Sequence, residues 1–174
     1  FITGPDKDEF LSLVKPRLKE KNLYVFISKS FSTDEVLLSH SWLPKKILKK
    51  NLFAITANKS KAIELGFVEQ NIIGFPESVG GRYSIWSQVS SPVLLPNESR
   101  NFLKGAASID ENIQIKSTVK SALKNIVFND IWSHNFLNKK NRVILSYNWK
   151  LRSITNYLQQ LEMESLGKPN NPES

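Results

Sequence analysis

The sequence predicts an α/β fold, in which a parallel β-sheet is flanked by helices. Three short segments rich in β-branched and aromatic residues are typical of buried strands, namely residues 23–27, 52–56 and 71–75. A helical segment lies between each pair of successive strands. Strands and helices that alternate at this spacing favour parallel pairing with right-handed crossover connections. Because such sheets bind ligands at the carboxyl ends of their strands, we expect the functional residues there.

The first two helices are predicted from apolar periodicity and from capping residues. Residues 6–21 form the first helix, which Pro16 kinks because proline has no backbone N–H. Ser32 and Glu35 have the spacing of a capping box, which reciprocally satisfies two backbone N–H groups at a helix start. The second helix is therefore predicted over residues 33–43.

Two shorter helices are predicted in the middle of the chain. Asn58 and Ser60 cap a helix over residues 61–65, and Gly66 ends it because glycine tolerates the left-handed backbone of a helix terminus. Residues 84–92 follow the third strand and predict a further helix that ends at a proline.

The last third of the chain is predicted to be largely helical. Residues 97–135 form two packing helices, the second over residues 113–132, and residues 143–147 form a fourth strand. Residues 149–166 form a long final helix. Glu164 lies near the C-terminal end of that helix, where a negative charge is mildly unfavourable. Its position suggests a role beyond helix stability; the alternative is an ordinary solvated glutamate near a helix end.

Composition excludes several classes of function. The 174 residues suffice for one domain or slightly more, and no apolar run has the length of a membrane span. The absence of cysteine excludes disulfides and thiolate chemistry and favours a cytoplasmic location. His40 and His134 are too few for a histidine metal cluster, so no metal is predicted.

The net charge of +8 and the pI near 9.6 indicate an anionic partner. The basic residues are spread over separate helical segments, and no zinc finger, KH loop or RNP-type strand accompanies them. A nucleic-acid-binding protein is therefore the last-ranked of the functions considered. Steeply salt-dependent binding to DNA would support it.

The turn after the first strand carries the strongest candidate site. Residues 28–33, Ser-Lys-Ser-Phe-Ser-Thr, place hydroxyl groups and Lys29 before the N-terminus of a helix. Backbone N–H groups and the helix dipole favour an anion at such a position. The alternative is an ordinary helix cap beside a solvated lysine, and these residues alone do not exclude it.

A second candidate follows the third strand. Gly80 and Gly81 allow positive φ angles and a close approach of the backbone to a ligand. Arg82 would present a planar, permanently charged donor to that ligand. The alternative is a glycine loop with a surface arginine.

Three stretches, in the same order, resemble one family. Residues 28–33 resemble the S-K-T-F-T-T phosphate loop of the glucose-6-phosphate isomerase (phosphoglucose isomerase) family. Residues 79–87, V-G-G-R-Y-S-I-W-S, resemble its V-G-G-R-Y-S-L-W-S signature. Residues 159–168, Q-Q-L-E-M-E-S-L-G-K, resemble its Q-Q-x-x-M-E-S-N-G-K segment. The resemblance extends over the whole chain.

The resemblance implies a sugar-isomerase (SIS-type) α/β fold and corresponds to about the middle third of the enzyme. Residues 1–95 would form most of the smaller SIS-type domain, residues 96–140 linking helices, and residues 141–174 the first strand and helix of the larger domain. The implied activity is interconversion of glucose 6-phosphate and fructose 6-phosphate without a metal or organic cofactor. The implied partners are a phosphorylated hexose and a second subunit in a homodimer.

The resemblance also implies roles for seven residues. Glu164 would move the proton between C1 and C2, Arg82 would stabilise the cis-enediolate, and Gln160 would contact the sugar. The residues implied to hold the substrate phosphate are Ser28, Lys29, Ser30 and Thr33. A carboxylate suits a reaction in which one group accepts and returns a carbon-bound proton.

The departures from the family pattern define the main alternative. Ser30 keeps the hydroxyl of the family threonine, whereas Leu166 replaces a family asparagine. The ring-opening histidine and further site residues are expected outside this sequence, so we predict that the 174 residues alone do not turn over substrate. The alternative function is a non-catalytic SIS-type module that binds a phosphosugar, and longer flanking sequence would discriminate the two.

Overall fold

A computed structural model describes residues 6–18, 21–47, 49–94 and 96–167. It confirms the α/β fold: three parallel strands form one sheet in the order β1-β2-β3. The chain divides into two compact units, Phe1–Ala106 (unit 1) and Ala107–Ser174 (unit 2). The strands and α-helices are β1 (Tyr24–Ile27), β2 (Leu52–Thr56), β3 (Ile72–Gly74), α1 (Lys7–Val14), α2 (Asp34–Ser41), α3 (Lys59–Glu64), α4 (Pro96–Ile115), α5 (Ser117–Asn135) and α6 (Ile154–Leu166).

β2 is the central strand, and its burial follows from its two neighbours. Tyr24 of β1 pairs with Leu52, and Ala54 pairs with Ile72 of β3. Ala54 and Ile55 are fully buried, as expected for a strand covered on both faces. The prediction of buried strands is wrong for β1, which alternates between half-buried and exposed residues because it lies at an edge of the described sheet.

Aromatic rings dominate the core of unit 1. Phe67 packs edge-on against Phe31 at 5.3 Å and against Phe26 at 5.6 Å between ring centroids. His40 of α2 joins this cluster, 5.3 Å from Phe67. Edge-to-face pairs add to the energy of burial, so the cluster joins the sheet to the helix that follows β1.

The first predicted helix is shorter than expected. α1 begins after Asp6, whose side chain accepts the amides of residues 8 and 9, and ends at Val14. A 3₁₀ segment, Lys15–Arg17, follows because Pro16 has no N–H to continue the helix. The predicted continuation to residue 21 passes through positions 19 and 20, which lie outside the described residues.

The predicted helix over residues 84–92 is wrong, since two 3₁₀ segments, Gly81–Trp86 and Gln88–Ser90, occupy this region. Ser84, Ser87 and Ser90 each donate a side-chain hydrogen bond to the carbonyl three residues earlier, at 2.7, 2.6 and 3.1 Å. Serine side chains that compete for backbone groups in this way disfavour a regular α-helix. The first of these segments contains Gly81 and Arg82 of the candidate site that follows β3.

In unit 2, the predicted helix boundary and the fourth strand both differ from the structure. The break between α4 and α5 falls at Lys116, so α5 begins at Ser117, four residues later than predicted. Residues 143–147 form no strand, and Tyr147 is 95% exposed. Among the described residues of unit 2 none lies in a β-strand, and an extended chain forms a ladder only with a partner strand.

The apolar faces predicted to pack in unit 2 are largely exposed within the described residues. On α5, Leu123, Ile126 and Val127 are 42%, 53% and 57% exposed. The aromatic residues Phe128, Trp132 and Phe136 stack on one another along the same helix. Among the described residues, no helix combines the length and apolarity required to span a membrane.

Candidate functional site

The loop between β1 and α2 is closed by its own hydroxyl groups. Ser28, directly after β1, is buried, and its Oγ lies 2.8 Å from Oγ1 of Thr33. The same Oγ accepts the backbone N–H of Phe31 at 3.1 Å. Ser30 Oγ accepts the backbone N–H of Ser32 at 3.3 Å and its hydroxyl at 2.7 Å. The loop is therefore a compact arrangement of hydroxyl groups at the carboxyl end of a strand.

Phe31 anchors this loop in the core while its backbone reverses the chain. Its φ of 53° lies in the left-handed region, which costs about 1–2 kcal/mol for a residue with a side chain. The side chain is fully buried, in edge contact with Phe67. Burial of the ring therefore offsets a strained backbone, as is common at functional loops.

Hydrogen bonds to β2 fix the other side of the loop. The carbonyl of Lys29 accepts the Thr56 hydroxyl at 3.0 Å and the backbone N–H of Ala57 at 3.1 Å. Ser28 N–H donates to the carbonyl of Ile55 at 3.1 Å. Since the backbone of Lys29 is held while its side chain is exposed, the ammonium is available to an anion in solvent.

The predicted capping box is wrong, although the helix begins within one residue of the predicted position. Thr33 occupies the N-cap of α2, and no side-chain hydrogen bond caps the helix. Its hydroxyl bonds to Ser28 instead, and Ser32 bonds to Ser30. An anion accepted by the first-turn amides would meet hydroxyl groups, the helix dipole and a lysine.

Arg82 lies in the segment that follows β3, in the same unit. β3 ends at Gly74, and Phe75 N–H donates to the carbonyl of Thr56 at 3.2 Å, so this segment starts beside the end of β2. Gly80 has a φ of −68°, and among the described glycines only Gly66 has a positive φ, so the glycine pair does not use the positive φ that it allows. Arg82 is half-buried in the 3₁₀ segment Gly81–Trp86.

The third set of predicted residues lies on α6 in unit 2. The side-chain amide of Gln160 donates a hydrogen bond of 3.0 Å to Oε1 of Glu164. Both side chains are exposed, and Glu164 is two residues from the end of the helix at Leu166. The structure thus brings these two residues together one turn apart. Lys168, the last residue of the matching motif, lies outside the described residues.

The sequence did not reveal the residues that fix the candidate loop in place without belonging to it. Thr56 was predicted only as the end of a strand, yet its hydroxyl also accepts the N–H of Asn58 at 3.0 Å. The bond between Gln160 and Glu164 could have been anticipated, because side chains four residues apart are neighbours on a helix. Within the described ranges, no three His, Asp or Glu side chains form a cluster that could hold a metal.

The parallel sheet and its flanking helices define an α/β protein of the SIS type. The fold is similar to the crystal structure of a hypothetical protein, TT0462, from Thermus thermophilus. The TM-score is 0.73 at 25% identity, over 94% of this chain and 41% of that one. A model of the phosphoglucose isomerase family matches residues 2–173. The chain belongs to the phosphoglucose isomerase family.

Curated relatives support the same family. Glucose-6-phosphate isomerase of Ectopseudomonas mendocina (strain ymp) is 34% identical over 97% of this chain and 32% of that protein. The enzyme of Pseudomonas putida (strain W619) is 33% identical over the same shares. The chain therefore spans about a third of the length of these relatives.

Proposed function

We propose that the chain provides the phosphate-binding loop and the proton-transfer glutamate of a glucose-6-phosphate isomerase, which interconverts glucose 6-phosphate and fructose 6-phosphate. Family membership and the names of the relatives support this reaction. The observation that carries the proposal is the Ser28–Thr33 hydroxyl pair, closed at 2.8 Å before the N-terminus of α2. The isomerase would act in the cytoplasm, in glycolysis and gluconeogenesis.

The loop binds the substrate phosphate in this proposal. The Lys29 ammonium supplies positive charge, and the amides at the start of α2 donate hydrogen bonds in the direction that the helix dipole favours. The hydroxyl groups that complete the site belong to Ser28, Ser30 and Thr33. Their internal hydrogen bonds keep them at one position before the ligand arrives, which lowers the ordering cost of binding.

Glu164 transfers the proton in this proposal. Its carboxylate removes the proton from C2 of the open-chain aldose, and the C2–H electron pair forms the C1=C2 bond of a cis-enediolate. Arg82 stabilises the negative charge that develops on oxygen. A proton passes from the O2 hydroxyl to O1, and return of the proton from Glu164 to C1 then leaves a C2 carbonyl, which yields the ketose. Gln160 donates to Oε1 of Glu164, which orients the carboxylate, and contacts the sugar beside it.

The proposed organisation is that of part of a two-domain, homodimeric enzyme. Residues 1–95 form most of the smaller SIS-type domain, residues 96–140 link the domains, and residues 141–174 begin the larger one. The isolated chain is expected to show no turnover, because it spans only about a third of the length of the isomerases that it matches. The reaction uses no cofactor or metal in this proposal.

Binding of fructose 6-phosphate to the purified chain, measured by isothermal titration calorimetry, tests the loop. Ser28→Ala removes a hydroxyl that takes part in two loop hydrogen bonds and is expected to weaken binding about tenfold, with Lys29→Gln at least as damaging. Ser41→Ala is the matched control, since its hydroxyl bonds only within the last turn of α2. Equal affinity of Ser28→Ala and Ser41→Ala, or equal binding of unphosphorylated fructose, would contradict the proposal.

A chimera separates the isomerase from a non-catalytic phosphosugar-binding module. The chain replaces the matched third of the Ectopseudomonas mendocina enzyme, and conversion of fructose 6-phosphate is measured with a coupled dehydrogenase. Turnover that Glu164→Gln abolishes supports the isomerase. A folded chimera that binds phosphosugar without turnover supports the binding module.

A further inference from the structure

Arg142 joins two helices of unit 2 through a single guanidinium nitrogen. Its Nη1 lies 3.0 Å from Oδ2 of Asp130 on α5 and 2.6 Å from Oε1 of Glu162 on α6. Another salt bridge, Lys61–Glu64, lies within α3 and links no separate elements. Arg142 itself lies in the irregular segment between α5 and α6, so its bridge connects three separate parts of the chain.

The position of Glu162 on α6 relates this bridge to the proposed site. Successive residues of an α-helix are rotated by about 100°, so Glu162 points about 160° away from Gln160 and from Glu164. Consistently, Glu162 is half-buried, whereas Gln160 and Glu164 are exposed. One face of the helix is therefore held by Arg142, and the opposite face carries the hydrogen-bonded pair.

The bridge gains strength from its geometry rather than from burial. The three side chains are between 40% and 49% exposed, and isolated pairs at such sites contribute little. Here one guanidinium nitrogen donates a hydrogen bond to Glu162 on α6 and forms an ion pair with Asp130 on α5, so rotation of α6 about its axis would break the shorter contact.

The geometry points to Arg142 as a positioning residue: through Glu162 it sets the rotation of α6 and thereby the direction of the Gln160–Glu164 pair. This inference rests on the proposed function of Glu164. Arg142 acts through Glu162 and has no contact with a reacting atom in this proposal.

Hydrogen exchange of the ¹⁵N-labelled 174-residue chain, followed by NMR without phosphosugar, tests the inference. Arg142→Gln is expected to speed amide exchange in α6 about three- to tenfold. It should also shift the Gln160 side-chain amide signal towards its position in Glu164→Gln. Arg152→Gln is the matched control, because Arg152 stacks on Trp149 just before α6 and touches neither carboxylate. Arg142→Lys should give intermediate values.

An unchanged Gln160 signal in Arg142→Gln would overturn the inference, even with faster exchange, because the bridge would then be merely structural. If Arg142→Gln also lowers the protection of amides in β2, the substitution has destabilised more than α6, and Glu162→Gln is measured in its place. Glu162→Gln keeps the Arg142–Asp130 pair. Because no phosphosugar is present, failure of sugar binding and failure of this measurement are separate results.

Discussion

Phe31 provides the sharpest test of how the fold supports the candidate phosphate loop. Its side chain is fully buried, and a buried phenylalanine removes about 150–250 Å² from water. At about 25 cal/mol per Å², this corresponds to about 4–6 kcal/mol, close to the usual cost of about 3–5 kcal/mol for Phe→Ala. Phe31→Ala should therefore remove a large share of the stability of unit 1.

A comparison of Phe31→Gly with Phe31→Ala tests the backbone strain at this position separately, because both variants leave nearly the same cavity. In a helix, Ala→Gly costs about 1 kcal/mol because glycine loses more conformational freedom on folding. At φ 53°, the left-handed conformation is costly for alanine and not for glycine. Phe31→Gly should therefore be at least as stable as Phe31→Ala.

Urea unfolding, followed by circular dichroism and tryptophan fluorescence, gives both differences. Tyr147→Ala is the control, because this side chain is 95% exposed and its removal should cost less than about 0.5 kcal/mol. A Phe31→Gly variant that is less stable than Phe31→Ala by about 1 kcal/mol would refute the strain argument. A loss below about 1 kcal/mol for Phe31→Ala would refute the anchoring role.

Three further predictions address polar and titratable groups of unit 1. Thr56→Val removes two hydrogen bonds to the loop and strand end, so it should lower the free energy of unfolding by about 1–3 kcal/mol. The same variant should weaken the binding of fructose 6-phosphate, and unchanged affinity would contradict the supporting role of Thr56. Asn71→Ala, which removes donors to the carbonyls of Lys50 and Leu52, should cost about 1–3 kcal/mol by urea unfolding, whereas exposed Gln70→Ala should not. Burial lowers the pKa of His40 in the folded chain. As the pH falls, this histidine therefore binds a proton in the unfolded chain before it does so in the folded chain. The contribution of neutral His40 to the free energy of unfolding should be complete above the ordinary pKa of histidine and should fall as the pH decreases towards the lower pKa of the folded chain. Melting curves of His40→Phe should lack this pH dependence, and an identical dependence would assign it to other groups.

Local sequence patterns correctly predicted the elements that depend on residues close to one another in the chain. β2 was predicted to the residue, and Gly66, with a φ of 91°, follows the end of α3 as expected. The errors fall where local and distant partners compete. The Ser32–Glu35 box was lost because the hydroxyl groups of the loop bond to one another instead of capping α2.

The fold class, the family and the candidate loop could all be predicted from the amino-acid sequence, because these depend on residue types at fixed spacing. The folded chain was needed to show that Thr56 holds the Lys29 carbonyl, 27 positions away, and that Arg142 bridges Asp130 and Glu162. Such contacts join residues distant in the chain, and no spacing rule encodes them. The exposed segment over residues 143–147 makes the same point, since a strand pattern becomes a strand only when another strand accepts its hydrogen bonds.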